Sequence, residues 1–194
     1  MVKPNQKIPP YPLQPIKVPC EPFTKIIIDV VGPLPKTKKG SQYILTILDP
    51  TTRYPEAFPL KNITTKTIVS KLTNLFTNFG IAQDVQSDQG SNFTSDLFKA
   101  VLKELKITQT LSTACHPQTQ GVLERCHHTL KSLLRKFCFE QDQEWDKALP
   151  YMLFAIRETP NESTGISPFE MLFSNKVRGP LRKISFSTRP LIGF

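Results

Sequence analysis

The segment Lys25–Val31 constrains the fold of this chain more than any other part of the sequence. After its first lysine it is a run of isoleucine and valine, interrupted by a single carboxylate, Asp29. A strand with apolar residues on both faces belongs in the centre of a sheet that is covered on both sides. We therefore predict a central strand that carries an acid in a setting that surface carboxylates rarely occupy.

Two further carboxylates lie in unusual settings. Asp88 lies in the glycine-containing turn Ser87–Gly90, directly after a short predicted strand. Glu124 lies on a long predicted amphipathic helix, just after the segment His116–Gly121. Three acids that meet in the fold can hold two divalent metal ions, and two such ions can break and join phosphodiester bonds. Chemistry on nucleic acids is therefore the leading hypothesis.

Length and charge agree with this hypothesis. The chain has 194 residues and 39% hydrophobic residues, enough for one domain with a sizeable core. It carries 25 basic and 16 acidic residues, a formal net charge of +9. A basic balance favours a polyanionic partner, of which nucleic acid is the commonest. A soluble basic protein without such a partner is the alternative that charge alone leaves open.

The sequence also predicts a soluble intracellular protein with no membrane partner. No stretch approaches the ~20 apolar residues of a membrane span, and the N-terminus lacks the apolar core of a signal peptide. The cysteines form no CxxC pair and are typical of reduced packing thiols. Their spacing to the histidines matches no zinc finger, so no zinc is expected. These cysteines are Cys20, Cys115, Cys126 and Cys138.

The residue pattern divides the chain into three parts. Residues 1–22 are rich in proline and lysine and predict an extended arm, 23–181 form the core, and 182–194 an irregular tail. Strands over 25–31, 43–48 and 56–60, joined by short turns, predict an antiparallel meander. Short strands over 84–87 and 107–111 between helices predict parallel additions to the sheet. Helices are predicted over 64–79, 97–105, 118–139 and 145–156, the last kinked or interrupted by Pro150, and from Ser167 onwards.

One stripe of the helix predicted over 118–139 has a notable order of charges. Glu124, His128, Lys131 and Arg135 follow one another at spacings of four, three and four residues, so they share one face. An ordinary solvated face is one interpretation. A metal ligand beside a track that binds phosphates is the other.

These segments resemble the catalytic core of retroelement integrases. The run Ile28–Pro35 is similar to the family's first-aspartate segment, Ser87–Phe93 to its second, and His116–Arg125 to its glutamate segment. The second and third acids have 35 residues between them, the spacing that is typical of the family. Thr164–Glu170 is similar to the family's late helix. The resemblance is to gypsy-type LTR retrotransposon integrases and their domesticated host copies, and it extends over about residues 19–181.

The resemblance implies an α/β fold of the RNase H-like type, with a five-stranded mixed sheet flanked by helices. It implies that Asp29, Asp88 and Glu124 are catalytic and hold two Mg²⁺ (or Mn²⁺) ions. One ion would activate a water or a DNA 3′-hydroxyl, and the other would stabilise the leaving oxygen. The implied activity is that of a DDE-type polynucleotidyl transferase, which performs 3′-end processing and strand transfer of retroelement DNA.

The resemblance also implies partners and a location. The partners are double-stranded DNA, both element ends and target, and further copies of the chain in a homodimer or higher oligomer. The location is the nucleus, with a cytoplasmic stage before nuclear entry. Supporting roles fall on Gly121, as a loop hinge, and on Asn92, beside Asp88. The implied DNA contacts are Gln118, Gln120, His128, Lys131 and Arg135.

The family's N-terminal zinc domain and C-terminal DNA-binding domain have no counterpart in this sequence. We therefore expect the chain to be a fragment, a truncated copy or a domesticated copy, and three functions stay open. The first is the transferase core. The second is a catalytically idle, domesticated core that binds DNA, chromatin or a protein. The third is an RNase H-like nuclease, which would share the metal site but not the loop that leads from Gln118 to Glu124.

Overall fold

The apolar run Lys25–Val31 is strand β1, and it lies in the middle of a five-stranded sheet, as predicted. The computed structural model describes residues 21–111, 125, 128–134, 144–161 and 164–179. The other strands are β2 (Tyr43–Leu48), β3 (Pro55–Leu60), β4 (Asp84–Ser87) and β5 (Thr108–Leu111). The helices are α1 (Thr65–Phe79), α2 (Ser91–Thr94), α3 (Asp96–Glu104), α4 (helical residues 128–134), α5 (Trp145–Glu158) and α6 (Pro168–Phe173).

The sheet has the strand order β3-β2-β1-β4-β5. The first three strands form an antiparallel meander, and β4 and β5 add to it in parallel. Both features agree with the sequence prediction. Because β1 pairs with β2 on one side and with β4 on the other, neither of its edges meets solvent, and its faces are covered by helices.

The two faces of the sheet carry separate hydrophobic layers. Side chains alternate along β1, so Ile28 packs towards α1 and α3, whereas Val31 packs towards α4 and α5. Asp29 lies two residues before Val31 and therefore shares the α4 and α5 face of the sheet. The first layer is the larger of the two hydrophobic clusters.

Local signals fix where the helices begin and end. Thr64, Ser95 and Ser167 precede α1, α3 and α6, and each hydroxyl accepts a hydrogen bond from a backbone N–H three residues further on. Pro168 occupies the first turn of α6, where its missing N–H is not needed. Gly80 ends α1 with a φ of 90°, a conformation that favours glycine. The helix start predicted at Ser167 is confirmed.

Two details differ from the prediction. The short helix α2 was not predicted, because four residues carry no periodic signal. Helix α5 continues through Pro150, which was expected to kink or interrupt it. The buried residues Trp145, Leu149 and Met152 hold this helix against the sheet on both sides of the proline, and this packing offsets the lost hydrogen bond.

Several predictions concern residues outside the described ranges. These are most of the arm over 1–22, the tail over 182–194, all four cysteines and most of the helix over 118–139. The domain boundaries therefore stay predictions. Within the described ranges, none of the helices combines the length and the apolar character that crossing a membrane requires.

Arg157 attaches α5 to the edge strand β3. Its Nη2 lies 2.6 Å from Glu56 Oε1 and donates to the Pro55 carbonyl at 2.9 Å. Its guanidinium carbon also lies 4.5 Å from the centre of the Tyr54 ring. Burial raises the pKa of Glu56, and Arg157 opposes that rise. The guanidinium therefore keeps a half-buried carboxylate ionised at the edge of the sheet.

Replacing Arg157 with methionine should lower the free energy of unfolding by about 2–3 kcal/mol at pH 7, since both partners keep some solvent contact and a fully buried pair would lose ~3–5 kcal/mol. Without its partner, Glu56 has a folded-state pKa further above its ordinary value of 4.5. The penalty is present above that raised pKa and shrinks as the pH falls through it. Urea unfolding of both proteins between pH 7 and pH 4 measures the difference.

The control is the double variant Glu56→Gln/Arg157→Met, which carries no unpaired charge at this position. It should be more stable than Arg157→Met at pH 7, and its difference from the wild type should not narrow in acid. A loss of stability in Arg157→Met that stays constant with pH would show that packing of the long side chain, rather than its charge, holds α5 to β3.

Candidate functional site

Asp29 and Asp88 lie beside each other at the carboxyl ends of two parallel strands. The pairing of β1 with β4 sets Ile27 level with Gln86. The same register, continued by two residues, brings Asp29 level with Asp88, which directly follows β4. The sheet thus brings together two of the three carboxylates that the sequence singles out.

Each of the two carboxylates accepts a hydrogen bond from a nearby backbone N–H. Val30 donates to Asp29 Oδ1 at 2.7 Å, and Gly90 donates to Asp88 Oδ1 at 3.0 Å. A Cβ on Gly90 would lie 3.0 Å from the same Asp88 oxygen, a tight contact that would require the carboxylate to shift by a few tenths of an ångström. The carboxylates are therefore oriented by the backbone.

The surroundings of Asp29 disfavour its ionised form. Burial is the largest effect and raises the pKa of Asp29, the Val30 hydrogen bond lowers it, the charge of Asp88 raises it and that of Lys131 lowers it. The net result is a pKa above the ordinary value of 3.8. Two adjacent acids that are costly to ionise together form a site at which a cation is stabilised.

Two buried polar residues lie on the strands that flank Asp29. The Thr46 hydroxyl donates to the Asp29 carbonyl at 3.1 Å, and only 4% of Thr46 is exposed. Gln86, which is 2% exposed, lies on the neighbouring strand and on the same face as Asp29. Sequence reasoning missed both residues. For Thr46 the available signal was a polar residue within the otherwise apolar strand β2, whereas the mostly polar strand β4 gave no such signal for Gln86.

The segment after Asp88 is held by hydrogen bonds from two other elements. Thr65, at the start of α1, donates to the Asn92 carbonyl at 3.2 Å. Gln109, on β5, donates to the Phe93 carbonyl at 2.7 Å. Asn92 thus contributes its backbone carbonyl to this framework, while its role in supporting Asp88 stays a prediction.

Helix α4 presents Lys131 to the two aspartates. Its buried residues Leu130 and Leu134 pack against the sheet, whereas His128 and Lys131 are exposed. The charge of Lys131 lowers the pKa of Asp29, so its ammonium group lies within electrostatic reach of that carboxylate. This face of α4 therefore has the polarity that the sequence pattern indicates.

The remaining predicted site residues lie outside the described ranges. Among the residues that the structure describes, no three His, Cys, Asp or Glu side chains gather as a metal site. The predicted third ligand, Glu124, is not among them, so the complete set stays a prediction. The same holds for Gln118, Gln120, Gly121 and Arg135.

The chain is similar to proteins of retroviruses and retrotransposons. Residues 19–117, just over half of the chain, match the integrase core domain family. The Pol polyprotein from transposon 412 of Drosophila melanogaster is 30% identical over 84% of this chain and 13% of its own length. The Pro-Pol polyprotein of feline foamy virus is 34% identical over 82% of this chain and 14% of its own length. The chain thus spans about one seventh of these relatives.

Solved structures of integrases share the fold. The HTLV-2 integrase catalytic core in complex with magnesium superposes with a TM-score of 0.64 at 18% identity, covering 78% of this chain and 97% of that one. The catalytic core of BIV integrase gives a TM-score of 0.63 at 21% identity, covering 86% and 99%. A simian T-cell lymphotropic virus intasome in complex with PP2A regulatory subunit B56 gamma gives 0.69 at 21%, covering 82% and 57%. The predicted RNase H-like fold is confirmed, and the chain belongs to the integrase core domain family of retroviruses and retrotransposons.

Proposed function

We propose that this chain is the catalytic core of a retroelement integrase, a polynucleotidyl transferase that performs 3′-end processing and strand transfer on double-stranded DNA. The observation that carries the proposal is the meeting of Asp29 and Asp88 at the ends of β1 and β4, beside the ammonium group of Lys131. Its DNA substrates are the element ends and the target. The catalytic core extends over residues 23–181.

We propose that Asp29, Asp88 and Glu124 hold two Mg²⁺ (or Mn²⁺) ions and that no zinc is needed. The donors fit, because carboxylate oxygens are the hard ligands that these ions prefer. Burial and mutual repulsion, which raise the pKa of Asp29, would be offset by a bound cation. When bound, such ions supply an activated oxygen nucleophile and stabilise the leaving oxygen. The magnesium complex of the HTLV-2 core supports this choice of metal.

The chain's own residues orient the DNA strand. Lys131, whose charge acts on Asp29, is proposed to pair with a phosphate oxygen next to the reacting bond. The Thr46 hydroxyl fixes the backbone of Asp29, and Asn92 lies in the segment that fixes Asp88. The proposed hinge of the loop over the site is Gly121. Further DNA contacts are proposed at Gln118, Gln120, His128 and Arg135.

We further propose that the chain acts as a homodimer or higher oligomer, and in the nucleus after a cytoplasmic stage. An assembly is supported by the similar solved structures, of which one is an intasome and one a trimeric form. A nuclear location follows from the proposed substrate, since target DNA is chromosomal.

The first test is disintegration, the reversal of strand transfer on a branched DNA substrate, with the full chain and Mn²⁺. We expect activity that EDTA removes and that Glu124→Gln reduces to the level seen in EDTA, because an amide is a poor ligand for these ions. The matched control is Glu104→Gln on the exposed surface of α3, which should keep wild-type activity.

Three other outcomes would contradict the proposal. Activity in folded Glu124→Gln would remove that residue from the site. A folded chain that binds DNA but has no metal-dependent activity would favour a domesticated binding module. Cleavage of RNA–DNA hybrids without disintegration would favour an RNase H-like nuclease.

A second prediction concerns Lys131. Lys131→Glu should weaken DNA binding at low salt. The negative slope of log K against log salt should become shallower by about 1, because one phosphate contact is lost. Fluorescence anisotropy with a labelled duplex over a salt series gives both quantities. Lys99→Glu on α3 makes the same charge change on the opposite side of the sheet and should leave the slope unchanged. Equal slopes for the two variants would remove Lys131 from the DNA-binding surface.

A third prediction follows from the raised pKa of Asp29. The folded state binds more protons than the unfolded state between pH 3.8 and the raised pKa, so this residue lowers stability as the pH rises through that window. Without metal, Asp29→Asn should therefore be more stable than the wild type at pH 7, and the difference should shrink in acid. Thermal unfolding measures it. Mg²⁺ should raise the melting temperature of the wild type more than that of the variant. A metal-free variant less stable than the wild type at pH 7 would contradict this account.

A further inference from the structure

The turn between β1 and β2 is a rigid element that displays lysines. Thr37 donates to the Ser41 carbonyl at 3.0 Å, and Gly40 donates to the Thr37 carbonyl at 2.8 Å. Gly40 has a φ of 87°, which a residue with a side chain rarely adopts. The closed turn leaves three lysines exposed to solvent: Lys36, Lys38 and Lys39.

Two hydrogen bonds connect this turn to helix α5. Trp145 Nε1 donates to the Pro35 carbonyl at 2.7 Å, and the Thr37 hydroxyl donates to Asp146 Oδ2 at 3.2 Å. Trp145 is completely buried and Asp146 is nearly so. The turn is therefore anchored on the α5 side of the sheet, the same side to which Asp29 belongs. An element that is already ordered loses little entropy when it binds a partner.

A fourth lysine joins these three from the end of β3. A Cβ on Gly40 would lie 3.8 Å from Lys36 Cε and 3.9 Å from Lys61 Cδ, so both side chains pass close to this glycine. The nearby carboxylate of Glu144 pairs with Lys147 at 3.1 Å and accepts a hydrogen bond from the Lys38 N–H at 3.2 Å. We call this set the lysine platform: Lys36, Lys38, Lys39 and Lys61.

The lysine platform lies at the same end of the sheet as the two aspartates. Strands β1, β3 and β4 run in the same direction, so they all finish at this end of the sheet. Three strand spacings separate β3 from β4, a distance of about 14 Å.

We propose that the lysine platform binds the phosphate backbone of the duplex DNA whose reacting phosphodiester lies at Asp29 and Asp88. The proposal rests on the proposed function, since it takes the DNA at the aspartates as the substrate. The four lysines are exposed and carry the same charge, which a polyanion complements. The contacts are to phosphates, so they position the duplex and read no sequence.

The test is DNA binding by the full chain with Lys38→Glu and Lys39→Glu combined. Fluorescence anisotropy with a labelled duplex of arbitrary sequence, in EDTA over a salt series, measures affinity without any chemistry. We expect the affinity at low salt to fall about tenfold or more. The negative slope of log K against log salt should become shallower by about 2, one unit for each lost phosphate contact. Both side chains point to solvent, so the melting temperature should stay at the wild-type value.

The matched control is Lys99→Glu combined with Lys103→Glu, which makes the same charge change on the exposed surface of α3. Its salt slope should equal that of the wild type. A second platform variant, Lys36→Gln combined with Lys61→Gln, leaves the turn itself intact and should also lower the slope. Equal slopes for the platform and control variants would overturn the inference.

This result can be separated from that of the proposed function. If disintegration activity is present and the platform variants bind like the control, the inference alone fails. If disintegration activity is absent and the platform variants lose binding, the lysine platform is a DNA-binding surface of a catalytically idle core. If Lys38→Glu/Lys39→Glu shows no melting transition, the variant Lys36→Gln/Lys61→Gln decides the test. An unchanged salt slope in that variant would overturn the inference.

Discussion

The parallel pairing of β1 with β4 is the constraint on which the other features depend. It requires β1 to be buried on both faces, and an isoleucine in such a position contributes about 2 kcal/mol of burial energy. The same burial surrounds Asp29 and raises its pKa above the ordinary value. A strand that stabilises the fold therefore also carries a side chain that is poorly solvated in its ionised form. The ionised Asp29 lowers the stability of the fold locally, and the large hydrophobic layer under α1 and α3 compensates for that loss.

The two faces of the sheet thus have different tasks. The layer of α1 and α3 is apolar and includes stacked aromatic rings such as Phe23 and Phe79. The layer of α4 and α5 is smaller, and on this side the exposed Lys131 of α4 acts on the pKa of Asp29. In the meander, β2 returns the chain so that β1 and β3 finish at the same end of the sheet. That return brings Lys61, which follows β3, close to the turn after β1.

Local patterns predicted the elements well, because strands, caps and amphipathic helices are encoded by neighbouring residues. The prediction of β1 from its apolar run and of the α6 start at Ser167 needed no tertiary information. The anchoring of the turn after β1 by Trp145 lies beyond such reasoning, because the two residues that bond are 110 positions apart. Asp29 and Asp88 were expected to meet from a family resemblance, and their proximity is a product of parallel register. The sequence indicated the role of Thr46 only weakly, by one hydroxyl in the otherwise apolar strand β2.

The turn after Asp88 bears on how copies of such a chain decay. A Cβ on Gly90 would press on the carboxylate oxygen that its own N–H holds, so this oxygen would have to shift by a few tenths of an ångström. A single change at this glycine would displace Asp88 while leaving the aspartate itself in the sequence. A copy of the chain that keeps all three acids can therefore still have a shifted Asp88 carboxylate.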